Sequence, residues 1–140
     1  MKQLSVFLEN KKGALAKITE LLTKEHIDID AMSIADTADF GILRMVVSDY
    51  QKGYEILKAN DIIVSITEVT VAMIKHEVGS LSAILEILDN ENINIEYMYA
   101  LATGKDDASI VIKPSDIARA EELLKAAGVD FVTQEDLANI

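Results

Sequence analysis

Residues 13–32, GALAKITELLTKEHIDIDAM, return 66 places later as residues 79–98, GSLSAILEILDNENINIEYM. Gly13 falls on Gly79, Leu15 on Leu81, Ile18 on Ile84, Leu22 on Leu88, Ile27 on Ile93, Ile29 on Ile95 and Met32 on Met98. Farther along, the match resumes at a shift of 67, with Ser48-Asp49 on Ser115-Asp116 and Leu57-Lys58-Ala59 on Leu124-Lys125-Ala126. One residue was gained between Met32 and Ser48, near the turn expected around Ala38 to Gly41. The two copies therefore share a fold and differ in a hairpin loop.

Each copy shows the same order of periodicities. Lys2 to Glu9 alternates around Leu4, Val6 and Leu8, and Val69 to Lys75 is a Val/Ala/Ile-rich run, so both read as strands. A glycine-bearing turn follows. Leu15, Ile18, Leu21 and Leu22, like Leu81, Ile84, Ile87 and Leu88, then recur at helical spacing with one apolar face. Strands are expected at 27–34 and 93–101, and again at 42–47 and 108–112, joined by hairpin turns at Asp39–Gly41 and Gly104–Asp107. Ser48-Asp49 and Ser115-Asp116 stand where a second helix would be capped, and residues 62–66 and 129–133 close each unit as a fourth strand. The order β-α-β-β-α-β predicts an α+β protein of two ferredoxin-like units, each an antiparallel sheet with its helices on one face. The expected domains are residues 1–68 and 69–140, with no Pro/Gly/Ser tract between them. Units near 70 residues bury modest cores, so they are expected to pack together.

Composition narrows the function classes. The formal net charge is −11, from 24 acidic and 13 basic side chains, and only Arg44 and Arg119 are arginines. Phosphate-rich surfaces need clustered Lys and Arg, so neither nucleic acid nor an anionic membrane is an expected partner. With no cysteine there is no disulfide frame, thiolate metal site or thiol nucleophile. No basic-then-apolar leader is recognisable, and a cytoplasmic location is expected. The chain carries no nucleophile elbow, phosphate-cradling glycine loop or HExxH, so no catalytic residue, metal ligand or cofactor is assigned. His26 and His76 lack the ligand-spaced partners a metal would require.

The run Leu8-Glu9-Asn10-Lys11-Lys12-Gly13-Ala14-Leu15, followed by Ile18, Leu22 and Ile27-Asp28-Ile29, resembles the opening of an ACT domain, the small regulatory module of amino-acid metabolism. Ile74-Lys75-His76-Glu77-Val78-Gly79-Ser80-Leu81, then Ile84, Leu88 and Ile93-Asn94-Ile95, resembles it a second time. One departure is that Lys12 and Val78 stand where ACT loops commonly carry proline.

Glycine at a strand-to-helix turn lets backbone approach a ligand, and the first helical N–H groups can receive a carboxylate. Those groups lie around Gly13, Ala14 and Leu15 in the first copy and Gly79, Ser80 and Leu81 in the second. The resemblance implies ammonium acceptors just before the loop and at the start of strand two: Asn10 and Asp28, or His76 and Asn94. With Lys12 and Val78, these twelve residues are the candidate site set. The resemblance implies a stand-alone tandem regulator that binds an amino acid or similar small zwitterion, acts on a metabolic enzyme and forms a homodimer. The alternative is a protein–protein module or regulatory subunit without a small-molecule ligand. Tyr97 and Tyr99 share one strand face and suit an interface better than a ligand.

Overall fold

The computed structural model describes residues 1–36, 38–101 and 108–138. Residues 2–67 form one compact unit, and residues 68–138 fall in another.

In the first unit, β1 (Lys2–Glu9), α1 (Ala14–Lys24), β2 (Ile29–Asp36), β3 (Phe40–Val47), α2 (Tyr50–Ala59) and β4 (Val64–Glu68) follow in order. The sheet runs β2-β3-β1-β4, so β1 and β3 are central. Both neighbours of β3 are antiparallel to it, with Leu4 opposite Met45 and Met32 opposite Met45 on the other side. Leu4, Val6 and Leu8 of β1 alternate inward and join Leu43, Met45 and Val47 of β3. Ile18 and Leu22 of α1 and Leu57 of α2 complete this core. The packing is closest at Gly53, where a Cβ would meet Leu4 Cδ1 at 3.0 Å. The second copy has Ala120 there, fully buried.

The second unit repeats the pattern through β5 (Thr70–Ile74), α3 (Ser80–Asn90), β6 (Ile95–Leu101), β7 (Ala108–Pro114) and α4 (Ile117–Ala126). Its sheet order is β5-β7-β6, antiparallel throughout. The fourth strand expected at 129–133 is reduced to a bridge between Ala72 and Phe131. Hydrogen bonds from Met73 N–H to the Asp130 carbonyl and from Val132 N–H to the Val71 carbonyl hold it beside β5. A short helix, α5 (Gln134–Ala138), then turns the chain and buries Leu137. The expected hairpin turn at Gly104–Asp107 lies outside the described residues. In the first copy Phe40 and Gly41, expected in the hairpin turn, already belong to β3.

The caps are as the sequence predicts. Asp49 and Asp116 sit in extended backbone and accept the N–H of Lys52 and Arg119, respectively, each at 3.0 Å. Ser48 and Ser115 act differently. Their hydroxyls accept the N–H groups of Asp28 and Asn94, tying the start of strand two to the end of strand three. Asp49→Ala and Asp116→Ala are each expected to lower unfolding free energy by about 1 kcal/mol, read from urea denaturation midpoints.

Candidate functional site

The loop after β1 is shaped by its own backbone. Asn10 N–H donates to the Asp39 carbonyl at 3.1 Å, which ties the strand end to the β2–β3 hairpin, and Ala14 N–H donates to the Lys11 carbonyl at 3.3 Å. Gly13 then adopts a left-handed conformation with φ of 87°, and Gly79 repeats it at 93°. Residues with a Cβ rarely sit there, which explains why both copies have glycine. A Cβ at either position would meet nothing within 4 Å, so the constraint is conformational and the space in front of each turn is open. In α1 the first helical hydrogen bond from this turn runs from Lys17 to the Gly13 carbonyl, leaving the amides of Leu15 and Ala16 at the outward end of the helix.

A cleft of about 190 Å³ opens beside this loop, lined by Leu8, Glu9, Asn10, Lys11, Ala14, Leu15, Ile34, Asp36 and Gly41. Its size is below the roughly 300–1,000 Å³ of pockets that enclose drug-sized ligands, which suits a molecule of amino-acid size. Donors come from the helix end and Asn10, and acceptors from Asn10 and the carboxylates of Glu9 and Asp36. Lys11 binds Glu9 at 2.8 Å, and this hydrogen bond with its charge holds the Glu9 carboxyl below the usual carboxylate range. Asp36 brings a second carboxylate to the same cleft.

The structure places the twelve sequence-derived residues in several groups. Asn10, Ala14 and Leu15 line the first-copy cleft, while Lys12 and Gly13 belong to its loop without lining it. Asp28 is elsewhere. β1 and β2 both pair antiparallel with β3, so they run in the same direction. The start of β2 is therefore level with the start of β1. Leu8 stands opposite Gly41 and Gly41 opposite Asp36, whereas Asp28 is hydrogen-bonded to Ser48 beyond the far end of β3. Asn10 is level with Asp39 and Asp28 with Ser48, so they lie at opposite ends of one sheet, roughly 30 Å apart at about 3.3 Å per residue. The β2 carboxylate that shares the cleft with Asn10 and Glu9 is Asp36, at the other end of the strand. Sequence reasoning missed it, although counting strand directions from the element order would have found it.

In the second copy, His76, Val78 and Gly79 are exposed in the turn before α3, and Asn94 lies at the opposite strand end, hydrogen-bonded to Ser115. Leu81 and Asn94 meet along a larger, open groove of about 940 Å³ between α3 and edge strand β6, together with Leu85, Asp89, Ile95 and Met98. Ser80 starts α3 and His76 lies before it; neither lines this groove. Among the described residues, no group of three or more His, Asp or Glu is placed to hold a metal ion.

Asp30 is the electrostatic outlier. It occupies an irregularity in β2 between Ile29 and Ala31, and its Oδ2 is buried without a hydrogen-bond partner. Burial, and then the charge of Asp28, push its carboxyl above the usual range. The matching Glu96 sits at the same irregularity of β6 but has Lys113 at 3.6 Å, where the first copy has Val46 opposite Ala31.

The sequence pattern of the ACT domain pair matches residues 1–140. The chain belongs to the ACT domain pair family. Protein BT0572 from Bacteroides thetaiotaomicron is 45% identical, superposes with a TM-score of 0.92, and is matched over 99% of this chain and 96% of its own. The ligand-free regulatory subunit of aspartate kinase from Thermus thermophilus is 17% identical at a TM-score of 0.67, over 91% of this chain and 89% of that one. The corresponding subunit from Thermus flavus gives 18% and 0.63, over 91% and 90%. These two likenesses show the shared fold. Among curated proteins, none matches the chain.

Two outcomes follow for the ACT pair. Gly13→Ala should destabilise the protein by about 1–2 kcal/mol through its left-handed backbone alone, with no loss of packing, as read by denaturant titration. Because the folded-state pKa of Asp30 is raised, its ionised form opposes folding above that pKa, and the cost disappears as acidification protonates it. Asp30→Asn should therefore unfold at higher urea than the parent at pH 7, with the difference shrinking as pH falls through the carboxylate range.

Proposed function

We propose that the chain is a stand-alone regulator of amino-acid metabolism that binds an amino acid or related small zwitterion in the first-copy cleft and acts on a partner enzyme in the cytoplasm. The observation carrying this reading is the cleft itself. Amides at the start of α1 offer a place for the ligand carboxylate, and Asp36 and Glu9, which line the same small space, offer acceptors for its ammonium group. Among the described residues, no helix is long and apolar enough to cross a membrane. The chain is an ACT pair along its matched length, and that family membership supports regulation by binding as the reading. The twelve sequence-derived residues reduce, for this purpose, to Asn10, Gly13, Ala14 and Leu15, joined by Asp36.

A thermal-shift screen against the twenty amino acids tests this reading. A true ligand at about 100 times its dissociation constant adds roughly 2.7 kcal/mol to stability and raises the midpoint by several degrees. Asp36→Asn and Gly13→Val should suppress the shift by tenfold or more in apparent affinity, on the order of 1.4 kcal/mol, while Asp28→Asn leaves it intact. If no amino acid shifts the midpoint, the ligand-free interaction module becomes the better reading.

A further inference from the structure

The second unit holds a pocket of about 520 Å³ between α4, the start of β5 and the closing segment. Its lining residues all belong to that unit, with which Met1 is also grouped. Thr70 begins β5, whereas the turn carrying His76 and Gly79 follows the strand's last residue, so the pocket and the glycine turn are at opposite ends of β5. The volume falls within the roughly 300–1,000 Å³ of pockets that take small organic ligands.

Comparison with the first copy explains what the pocket lacks. Thr70 stands opposite Ile112 as Leu4 stands opposite Met45, and Glu121 has the place in α4, counted from the Asp116 cap, that Tyr54 has in α2. In the first copy Leu4 is fully buried and Tyr54 packs against the same core, with Lys58 Nζ 5.5 Å from the centre of its ring. A hydroxyl and a carboxylate replace these two side chains in the second copy, and Lys125 keeps the place of Lys58 with no ring from α4 beneath it. Phe131, in the place of Val64, forms a wall of the pocket. Of the two carboxylates that line it, Glu122 is taken up by Arg119 at 3.2 Å. Among the described residues, nothing pairs with the half-buried Glu121.

We propose that this pocket binds an arylalkylamine, a planar aromatic ring tethered to a protonated amine, with the ring in the place that the Tyr54 ring fills in the first copy. Phe131 gives the ring an aromatic neighbour, and Lys125 supplies the cation–π contact that Lys58 makes with Tyr54. The ammonium group gives Glu121 a charge-assisted hydrogen bond, and the hydroxyl of Thr70 is a further acceptor in the same space. An aromatic ligand ending in a carboxylate is rejected, because its charge repels Glu121. The site shares no residue with the first-copy cleft and its ligand needs no carboxylate, so it stands whether or not an amino acid binds there.

Calorimetric titration of the full chain with phenethylamine near neutral pH tests the proposal. The expected dissociation constant is on the order of 1 mM, as suits so small a ligand. Cyclohexylethylamine, which has the amine without the π face, should bind several-fold more weakly, and phenylpropionate should not bind. Glu121→Gln should weaken phenethylamine about tenfold by removing the charge. Glu121→Tyr, which brings in the first-copy residue, should abolish binding by filling the pocket. Circular dichroism checks both variants, and the isosteric Glu121→Gln keeps the test open if the tyrosine variant misfolds. Asp36→Asn, in the first-copy cleft, should leave phenethylamine binding unchanged. No binding of phenethylamine at ten times the expected constant overturns the proposal. So does binding that is indifferent to Glu121→Gln, that is lost in Asp36→Asn, or that cyclohexylethylamine or phenylpropionate equals.

Discussion

The burial of two helical stripes on one face of a small antiparallel sheet is the constraint from which the rest of the molecule follows. In the first unit Ile18, Leu22 and Leu57 must all reach Leu4, Val6, Leu43 and Met45, and Gly53 lets α2 approach so closely that a Cβ there would meet Leu4 at 3.0 Å. Once β1 and β3 are central and covered, the β1–α1 loop, the β2–β3 hairpin and the α2–β4 turn are forced to one end of the sheet. That end carries the cleft. Small size makes each buried side chain count, since a unit near 70 residues has little core in reserve.

Duplication preserved this frame while letting its surfaces diverge. Tyr54 on α2 and Val64 on β4 pack against the first core, whereas the second has Glu121 on the helix and Phe131 in the closing segment, so the aromatic bulk has moved from helix to strand. The ion pair between Glu96 and Lys113 has become Asp30 and Val46, leaving a carboxylate without its cation. Replacing a paired acid with an unpaired, half-buried one costs stability, because desolvation is no longer offset by a nearby charge. The backbone irregularity that holds this acid is nevertheless common to both copies, between Ile29 and Ala31 and between Ile95 and Tyr97. The geometry is thus inherited and the charge partner is not.

Much of the fold was legible because it rests on local signals. The repeat, the periods of two and 3.6, the glycine turns and the Asp49 and Asp116 caps all survive in the structure. What the sequence hid depends on the third dimension. The closing segment of the second copy has strand-like composition around Val129 and Phe131, yet only one bridge forms before Thr133 and Asp136 bind each other and start α5. Asn10 and Asp28 look like neighbours in the sequence because both flank α1. Two strands that share an antiparallel neighbour run in the same direction, so the helix between them carries the chain back along the sheet and separates its flanks by the sheet's full length. The cleft's second carboxylate had to come from the far end of β2, and Asp36 is the residue there.

The same alternation that separates inward from outward residues also places the two surfaces of the first unit back to back. Leu8 reaches the cleft on the helix side, while its neighbour Phe7 stacks on Phe40 on the other, and Glu9, opposite Phe40 in the ladder, lines the cleft through the strand's last residue. The end of β1 is tied to the β2–β3 hairpin, because Asn10 is hydrogen-bonded to Asp39 and Phe40 follows directly. Three consecutive residues of one strand thus serve both faces of the sheet.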